Sequence, residues 1–375
     1  MIKTIKSLFY IIFLFSMNLS CAQDKFTYKE VPASFLKTED ISSSVNLLKN
    51  KAFKVVDILP TNYKKDASQD YTMYLQKAID ENAVVLLPDF PILVNDKGIK
   101  LNNNSVLLFD NNSQLKLKPT DKGGYAIINI NNKKNVSIYN AKIIGDRNEH
   151  LGTKGEWGMG ISINDASDVK VYNAVIKNCW GDGIYIGGKN FSNNVTISGG
   201  LIDNNRRNGI SIIGGDNILL QDLVISNSNG ANPQTGIDLE PNNQQNKKLN
   251  VSLKSILTFN NKLNGLSFYL DNLKDTVTSN NVQILVDDYR DLYSTNGMSY
   301  SNRKSETKKS LNGSILLNNI DLKYNVKPFR YLYNNSSLDN INLKVNDFKS
   351  DHKDNNGIVN DLQKFSQQRI KYNNQ

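Results

Sequence analysis

Cysteine and histidine are scarce in this 375-residue sequence, which contains two of each. Because Cys21 lies at the edge of a leader-like stretch, Cys179 has no partner in the mature chain and we expect no disulfide. The two histidines, His150 and His352, are too few for a histidine-rich metal centre. These shortages exclude a disulfide-stapled domain, and we expect no cofactor.

Motifs for nucleic-acid binding are also missing. The sequence has no basic helix, no aromatic–basic RNA motif and no zinc-finger spacing. The formal net charge is +9, and a basic surface favours an acidic partner. We therefore expect an acidic ligand that is not a nucleic acid.

The N-terminal apolar run, residues 8–15, is too short to span a bilayer. It follows two lysines and precedes small residues, so residues 1–22 are predicted to be an export signal. In one alternative, the export signal is cleaved after Ala22. Alternatively, Leu19-Ser20-Cys21 resembles a bacterial lipoprotein box, and a lipid on Cys21 would anchor the protein to the outer membrane. Either alternative predicts a periplasmic or extracellular protein, and a lipid on Cys21 is the only membrane contact we expect.

One short phrase recurs in the middle of the chain. It is a glycine followed by apolar residues that alternate with variable ones, the period of a strand with one buried face. The five glycines are 23, 26, 27 and 29 residues apart, which is typical of a repeat architecture. The copies are Gly160–Ile163, Gly183–Ile186, Gly209–Ile212, Gly236–Leu239 and Gly265–Phe268.

The repeats lack a helical pattern of 10–15 residues, so the crossovers are predicted to consist of strand and turn. Parallel strands joined by such crossovers wind right-handed. The sequence thus predicts an all-β fold, a right-handed parallel β-helix. Glycine before each strand is expected to supply unusual backbone angles, and Asn-rich runs such as 102–104 and 242–243 are expected to form turns or stacked ladders.

A short helix is predicted at residues 70–82, ahead of the repeats. Asp70 would be its N-cap, and Met73, Leu75, Ala78 and Ile79 would share one face. We expect this helix to close the N-terminal end of the stack. Strands are predicted after it at residues 84–88, 98–101, 105–109 and 114–117.

These N-terminal segments resemble a known family. The helix ending in Ala78-Ile79-Asp80, the strand 84–88 and the strands 99–101 and 107–109 are similar to the start of the pectate-lyase superfamily, the pectin-lyase-like β-helix proteins. The resemblance spans roughly residues 55–287 and implies a secreted β-helix. That superfamily includes lyases, hydrolases, epimerases and viral tail adhesins, so the resemblance leaves the reaction open.

The predicted domain organisation has four parts. They are the export signal 1–22, a lead-in 23–63, the β-helix 64–350 and a polar tail 351–375. Within the β-helix, the repeat weakens after Tyr269, residues 287–310 are predicted to be a polar stretch, and strands return at 313–317, 320–324 and 341–345. A short helix is predicted at 358–365, and we expect a monomer.

The strand phase predicts which side chains face outward. If Ile237 and Leu239 are in the core, Asp238 and Glu240 both face solvent. Neighbouring coils would add acids, arginines and aromatics to the same wall, and the insertion 145–157 would border its upstream end. Such a surface suits a polysaccharide, because aromatic faces stack on sugar rings. The candidate catalytic residues are Asp182, Asp238, Glu240, Arg206 and Arg207, and the candidate substrate-binding residues are His150, Glu156, Trp157, Trp180, Tyr185 and Tyr269.

Three functions are compatible with these residues. A glycoside hydrolase would use paired carboxylates, one protonated and one ionised, and the spacing of Asp238, Glu240 and Asp182 favours inversion. Two like charges so close raise the pKa of one of them, as an acid requires. The sequence Asp182-Gly183-Ile184 also resembles the Asp-Gly-Ile motif of the polygalacturonase-like branch of the superfamily.

A Ca²⁺-dependent polysaccharide lyase is the second function. Asp238 and Glu240 would hold Ca²⁺, which prefers oxygen ligands, and Arg206, Arg207, Lys247 or Tyr185 would remove a proton. The third is a non-catalytic glycan-binding β-helix, in which the acids merely pair with the arginines. Of the three, the sequence favours the hydrolase acting on an anionic polysaccharide.

Overall fold

The structure is a computed structural model that describes residues 26–241, 248–271, 282–301, 312–332 and 340–353. The predicted export signal, the Asn242-Asn243 turn, Lys247 and the predicted helix at 358–365 lie outside these ranges. Within these ranges there are two α-helices, α1 at Ser42–Lys49 and α2 at Thr72–Glu81. The same ranges contain two 3₁₀ helices, at Ala33–Phe35 and Val55–Ile58.

Strands account for most of the described chain. In order they are β1 Phe53–Lys54, β2 Val84–Leu86, β3 Pro91–Val94, β4 Ile99–Lys100, β5 Val106–Leu108, β6 Gln114–Leu117, β7 Gly124–Asn131, β8 Lys134–Tyr139, β9 Lys142–Ile144, β10 Trp157–Asn164, β11 Ser167–Lys177, β12 Ile184–Gly187, β13 Ser192–Asp203, β14 Ile210–Ile212, β15 Gly215–Ser226, β16 Ile237–Leu239, β17 Leu249–Phe259, β18 Asn264–Tyr269, β19 Val282–Leu292, β20 Asn296–Ser301, β21 Asn312–Lys323, β22 Lys327–Leu332 and β23 Asn340–Ser350.

The strands form two parallel sheets that face each other across one core. Fourteen strands, including β1 and β23, form the larger sheet, and nine strands from β4 to β22 form the smaller one. From β11 to β22 each coil adds one strand to each sheet, whereas the three coils before β11 each add two short strands to the larger sheet and one to the smaller. The strand pairs of the described chain run parallel. The predicted parallel β-helix is confirmed.

The repeated phrase sets the register of the smaller sheet. Ile161 pairs with Ile184, Ile184 with Ile210, Ile210 with Ile237, and Ile237 with Leu266, and these side chains are buried. Each coil covers the apolar face of the one before it. This continuous aliphatic row is what makes the coils mutually dependent.

The glycines of the phrase have a different purpose from the one predicted. None of the five has a positive φ angle. A Cβ atom on Gly236 would instead lie 2.6 Å from the carbonyl oxygen of Gly265, and one on Gly160 would lie 2.6 Å from Cγ2 of Ile176. The prediction of unusual backbone angles is wrong, because the close approach of neighbouring coils requires these glycines.

Asparagine supplies the unusual angles instead. Asn104 has a φ of 63°, as predicted for its run, and Asn140 and Asn260 have φ values of 57° and 54°. The predicted ladders also occur, since the Asn204 amide donates to Asn178 Oδ1 at 2.7 Å. The side-chain amide relieves the cost of the left-handed conformation by bonding to the adjacent coil.

The coils continue beyond Tyr269, as the predicted β-helix 64–350 requires, but strands also occupy part of the predicted polar stretch 287–310, where none was predicted. Residues 287–292 belong to β19 and residues 296–301 form β20; Met298 pairs with Leu266, and Tyr289 is buried. The polar residues that suggested an irregular stretch are also buried: Asp291 accepts hydrogen bonds from Thr258 Oγ1 at 2.6 Å and from Ser294 Oγ at 2.7 Å. Polarity misled the prediction because the turn satisfies its own polar groups internally.

Helix α2 lies close to its predicted position. Leu75, Ala78 and Ile79 are buried as predicted, whereas Met73 is exposed, so its predicted position on the apolar face is wrong. Asp70 lies one residue before the N-cap, Tyr71, and accepts a hydrogen bond from the Thr72 amide at 2.9 Å.

The N-terminal residues lie along the larger sheet. The Gly200 amide donates to the Lys37 carbonyl oxygen at 3.0 Å, and the Glu39 amide donates to Asn173 Oδ1 at 2.7 Å. Val31 and Phe35 pack against an apolar cluster of Leu201, Val224, Leu257, Phe259 and Leu292. The segment thus covers apolar side chains that the sheet would otherwise expose, which leaves the smaller sheet as the more open face. Within the described ranges, no helix combines the length and the apolar character needed to cross a membrane.

Candidate carboxylate–arginine site

An outward-facing row of side chains runs along the smaller sheet. Tyr185 pairs with Ser211, Ser211 with Asp238, and Asp238 with Ser267. Ile237 and Leu239 on either side of Asp238 are buried in the core, as the strand phase predicted. Asp238 therefore points away from the core, because neighbouring residues of a strand face opposite ways.

The Arg207 guanidinium lies at the centre of the site and contacts three carboxylates. Its Nη1 donates to Asp182 Oδ2 at 2.9 Å and its Nη2 donates to Glu240 Oε2 at 3.4 Å. Its Nε lies 3.9 Å from Glu156 Oε2. We call Arg207 with Asp182, Asp238, Glu240 and Glu156 the carboxylate cluster.

Asp182 is the most enclosed member of the carboxylate cluster. Its Oδ2 accepts a second hydrogen bond from Ser211 Oγ at 2.7 Å, and its Oδ1 accepts one from the Asn208 amide at 3.0 Å. Burial raises the pKa of Asp182, while Arg207 and these hydrogen bonds oppose the rise. Such a fully bonded, inaccessible carboxylate orients Arg207 rather than contacting a ligand.

Asp238 corrects one expectation. It was predicted to face solvent, but only 1% of its surface is exposed. The Asn208 side-chain amide, from the turn before β14, donates to Asp238 Oδ2 at 3.2 Å, while Oδ1 is buried without a hydrogen-bond partner. Burial, followed by the charge of Glu240, raises the pKa of Asp238 to about 8. Burial therefore favours the protonated form of Asp238 at neutral pH.

Two carboxylates of the cluster remain accessible. The Glu240 side chain is 25% exposed and the Glu156 side chain is 42% exposed. Both lie beside Arg207, Glu240 at Nη2 and Glu156 at Nε. A ligand approaching the smaller sheet would meet these two carboxylates first.

Arg206 and Arg207 were both predicted to lie on the same wall as the carboxylates, but their side chains contact different partners. The Arg206 guanidinium lies 3.8 Å from the centre of the Trp180 ring, and its Nη1 donates to the Gly155 carbonyl oxygen at 2.8 Å. The structure places Arg206 outside the carboxylate cluster. Its contacts tie the connection between β9 and β10 to the adjacent coil.

His150 and Trp180 do not present free surfaces to a ligand. Both are buried, and their rings stack 3.8 Å apart. His150 Nδ1 lies 2.7 Å from Asp146 Oδ2, and Asp146 also accepts a hydrogen bond from the Tyr125 hydroxyl. Their predicted contact with substrate does not fit this burial. With Arg206 on the same indole, they form a His150–Trp180–Arg206 stack that supports the connection.

Trp157 is the aromatic side chain best placed to meet a sugar. It is 50% exposed, its ring lies 6.3 Å from that of Tyr185 in an edge-to-face arrangement, and Arg207 lies 5.7 Å from its centre. Tyr269 is partly buried on β18, directly after Phe268, the partner of Leu239. The structure therefore brings Trp157 and Tyr185 beside the carboxylate cluster, with Tyr269 on the next coil.

Sequence reasoning missed the contribution of Asn208. From Asp182 onward, a polar residue precedes each repeat glycine, and these residues form hydrogen bonds from coil to coil. The backbone amide of Asn208 donates to Asp182 Oδ1, and the backbone amide of Thr235 donates to Asn208 Oδ1 at 3.0 Å. That periodic polar position was the available signal. Among the described residues, no group of three histidine, cysteine or acidic side chains is arranged to hold a metal ion.

Comparison with known proteins links the chain to other β-helices. No family model matches it. An uncharacterized SPbeta prophage-derived protein, YorA, of Bacillus subtilis (strain 168) is 31% identical over 170 residues, which is 40% of this chain and 29% of that protein. YclG of the same strain is 29% identical over 160 residues, 38% of this chain and 27% of that protein. The chain thus spans less than a third of either relative.

A solved tailspike protein of E. coli bacteriophage HK620, a double mutant in complex with a pentasaccharide, superimposes with a TM-score of 0.57 at 11% identity. The match covers 84% of this chain and 61% of that one. The chain has the parallel β-helix fold. At this level of identity, the parallel β-helix is shared while the residues of the site are this chain's own.

Proposed function

We propose that this protein is an exported polysaccharide-active enzyme that hydrolyses glycosidic bonds on the outer face of its smaller sheet. One observation carries the proposal: two neighbouring carboxyl groups have different environments. Asp238 is buried with its pKa raised to about 8, whereas Glu240 is accessible and paired with Arg207. Such a division between a protonated and an ionised carboxyl group is what glycoside hydrolysis requires.

In this proposal Asp238 is the proton donor and Glu240 is the base that activates water. The ion pair with Arg207 stabilises the negative charge of Glu240. Asp238 is covered by the turn that carries Arg207 and Asn208. Productive binding therefore requires this turn to shift, so that the Asp238 carboxyl group reaches the glycosidic oxygen.

The surroundings of the carboxylate cluster support a sugar ligand. Trp157 offers an exposed ring beside Tyr185, and aromatic faces pack well against sugar rings. The similar tailspike protein was solved with a pentasaccharide, which shows that a parallel β-helix can present a glycan-binding surface. Since Glu156 and Glu240 are negatively charged, we propose a sugar without an acidic group at the cleaved position, although the net charge of +9 supports an anionic polymer overall.

Two observations favour hydrolysis over Ca²⁺-dependent elimination. Arg207, rather than an open cavity, lies between the carboxylates that a calcium ion would need. Elimination also requires a base. Burial raises the pKa of Tyr185. Burial alone would lower the pKa of Arg207, but Asp182 and the other nearby acids raise it further. Neither group readily gives up its proton.

Non-catalytic glycan binding is the second candidate. The near-complete burial of Asp238 favours it, because an inaccessible acid can simply hold Asn208 in place. In that case the surface formed by Trp157 and Tyr185 would bind sugar without cleaving it.

Incubation of the purified protein with neutral, uronate-containing and sulfated polysaccharides tests the proposal. Hydrolysis releases reducing ends without near-ultraviolet absorbance, whereas elimination produces unsaturated, absorbing ends. Absorbing products whose formation stops with a chelator would support the calcium-dependent lyase. Binding without new reducing ends would support the non-catalytic function.

Export and a monomeric state are part of the proposal. Export rests on the leader-like residues 1–22. Cell fractionation, with mass spectrometry of the mature N-terminus, distinguishes cleavage after Ala22 from lipidation of Cys21. Light scattering of the purified protein measures its oligomeric state.

A further inference from the structure

A second polar site lies on the same sheet, at its N-terminal end beside helix α2. It is a cavity of about 520 Å³. Its polar lining comes from α2, from β4 and β7, and from the residues just after β7. These residues are Gln76, Asp80, Lys100, Asn129, Asn131 and Lys133. We call this cavity the α2 pocket.

The α2 pocket has an excess of positive charge and of hydrogen-bond donors. Asp80 Oδ1 accepts hydrogen bonds from Gln76 Nε2 at 2.9 Å and from Asn102 Nδ2 at 3.1 Å, so amides rather than lysines satisfy it. Among the ion pairs within the described ranges, none involves Lys100 or Lys133. The ammonium groups of Lys100 and Lys133 and the side-chain amides of Asn129 and Asn131 thus remain to bind an anionic oxygen.

The strand register connects the α2 pocket to the carboxylate cluster. Each outward-facing residue pairs with the one on the next coil, without a break in register. The row runs Lys100, Asn129, Ser162, Tyr185, Ser211 and Asp238. Five strand spacings separate its ends, a distance of about 24 Å. A ligand that occupies both sites must therefore be an oligosaccharide or a longer chain.

The two ends of this row have opposite electrostatic character. The accessible groups of the carboxylate cluster are Glu156 and Glu240, which repel an anion. The unpaired charges of the α2 pocket are those of Lys100 and Lys133, which attract one. A glycan with widely spaced anionic groups matches both ends, while a uniformly and densely charged one conflicts with the cluster.

We propose that the α2 pocket binds a carboxylate or sulfate group of the same glycan chain that is cleaved at the carboxylate cluster, several sugar residues away. This inference rests on the proposed function and specifies its substrate class. The overall positive charge would then serve recognition at a distance from the cleaved bond, and the cluster would receive an uncharged sugar.

Binding of defined probes to the full-length mature protein tests this proposal. The probes are three dextran hexasaccharides of equal length, one that carries a single carboxylate, one that carries a single sulfate and one that is unmodified. Calorimetry at low salt would compare the wild-type protein with the double variant Lys100→Gln/Lys133→Gln. The control is Lys170→Gln/Lys254→Gln, which removes the same charge from exposed positions of the larger sheet.

We expect the pocket variant to bind the anionic probe about tenfold more weakly for each lysine lost, with binding of the unmodified dextran unchanged. The control should bind like the wild-type protein, and circular dichroism should show that both variants are folded. The preferred anion, carboxylate or sulfate, identifies the substituent. Equal weakening by both variants, or no preference of the wild-type protein for an anionic probe over the unmodified dextran, overturns the proposal.

The same measurement on Glu240→Gln separates this inference from the proposed function. Glu240 does not line the α2 pocket, so lysine-dependent binding should persist in this variant. If binding persists and no polysaccharide is cleaved by the wild-type protein, the proposed hydrolysis is contradicted while the proposed anion binding in the α2 pocket is supported. If cleavage occurs but binding does not depend on Lys100 and Lys133, only the proposed anion binding in the α2 pocket is contradicted.

Discussion

Glu240 accepts a hydrogen bond from Arg207 at 3.4 Å and is also open to solvent, whereas Asp182 and Asp238 are buried. The change Glu240→Gln keeps the shape of the side chain and removes its charge. We expect hydrolysis to fall by about 100-fold or more, since positioned acid–base groups contribute that much. Reducing-end release measures the effect, with Glu30→Gln at an exposed position as the control. Unchanged activity in Glu240→Gln would contradict the role assigned to this residue.

Asp238 should make stability depend on pH. Burial raises its pKa from 3.8 to about 8, so the folded protein keeps a proton that the unfolded chain releases between these values. The free energy of unfolding therefore falls as the pH rises through this window. Asp291, whose pKa burial raises to about 7, adds a fall of the same sign. Urea unfolding at about pH 5 and about pH 8 should show a smaller difference in Asp238→Asn than in the wild-type protein, and equal differences would contradict the assignment.

Arg207 should matter for stability as well as for the site. The change Arg207→Gln leaves buried Asp182 without its cation, which costs about 3–5 kcal/mol. Adding Asp182→Asn should recover part of this loss, because a neutral amide needs no counter-charge. Arg206→Gln is the matched control, since Arg206 contacts a ring and backbone oxygens rather than a buried acid. Chemical unfolding measures all four proteins. Equal losses from the two arginine changes would exclude a special role for Arg207.

At the scale of elements, the connection between β9 and β10 carries Glu156 and leads into Trp157. The His150–Trp180–Arg206 stack supports it, and Arg206 bonds to Gly155. We expect His150→Ala to loosen the connection, so that limited proteolysis within residues 145–156 speeds up and KM for the polysaccharide rises more than kcat falls. Lys154→Ala in the same connection is the control. Proteolysis and KM like those of the wild-type protein would show that the stack does not position Glu156 and Trp157.

Elements of the smaller sheet were the most predictable part of the fold. The alternation within each glycine phrase gave the strand, its register and its inward face, because these depend on residues within one short segment. β19 and β20 were not predicted because Asp291 and Ser294 look like surface residues in the sequence. The structure shows that Thr258, two strands earlier in the chain, donates a hydrogen bond to the same Asp291 carboxylate as Ser294 does. The glycines were located correctly and explained wrongly, since the atoms that exclude a Cβ belong to the next coil.

The carboxylate cluster was predictable only in part, for a similar reason. Strand phase placed Asp238 on the outward face and near Asp182 and Glu240, which the register bears out. It could not show that the turn before β14 covers Asp238, or that Arg206 and Arg207 point to different partners. The direction of a side chain follows from its own strand, while its exposure depends on what the neighbouring coil places over it.

For the molecule as a whole, the two sheets have different environments. The larger sheet is partly covered by the N-terminal segment, through contacts such as those of Lys37 and Glu39. The smaller sheet presents an in-register row from the α2 pocket to the carboxylate cluster. A linear polymer lying across the coils would contact both ends of this row. We thus propose that the smaller sheet binds the glycan and that the larger sheet provides structural support.

The most direct test of this assignment is a crystal structure of Glu240→Gln bound to an oligosaccharide that the wild-type protein cleaves. We expect sugar rings along the outer face of the smaller sheet, with one ring against Trp157, a glycosidic oxygen within hydrogen-bonding distance of Asp238, and residue 240 facing the anomeric carbon across the space of one water molecule. An oligosaccharide bound along the larger sheet, or one that leaves Trp157 and residue 240 untouched, would contradict this assignment.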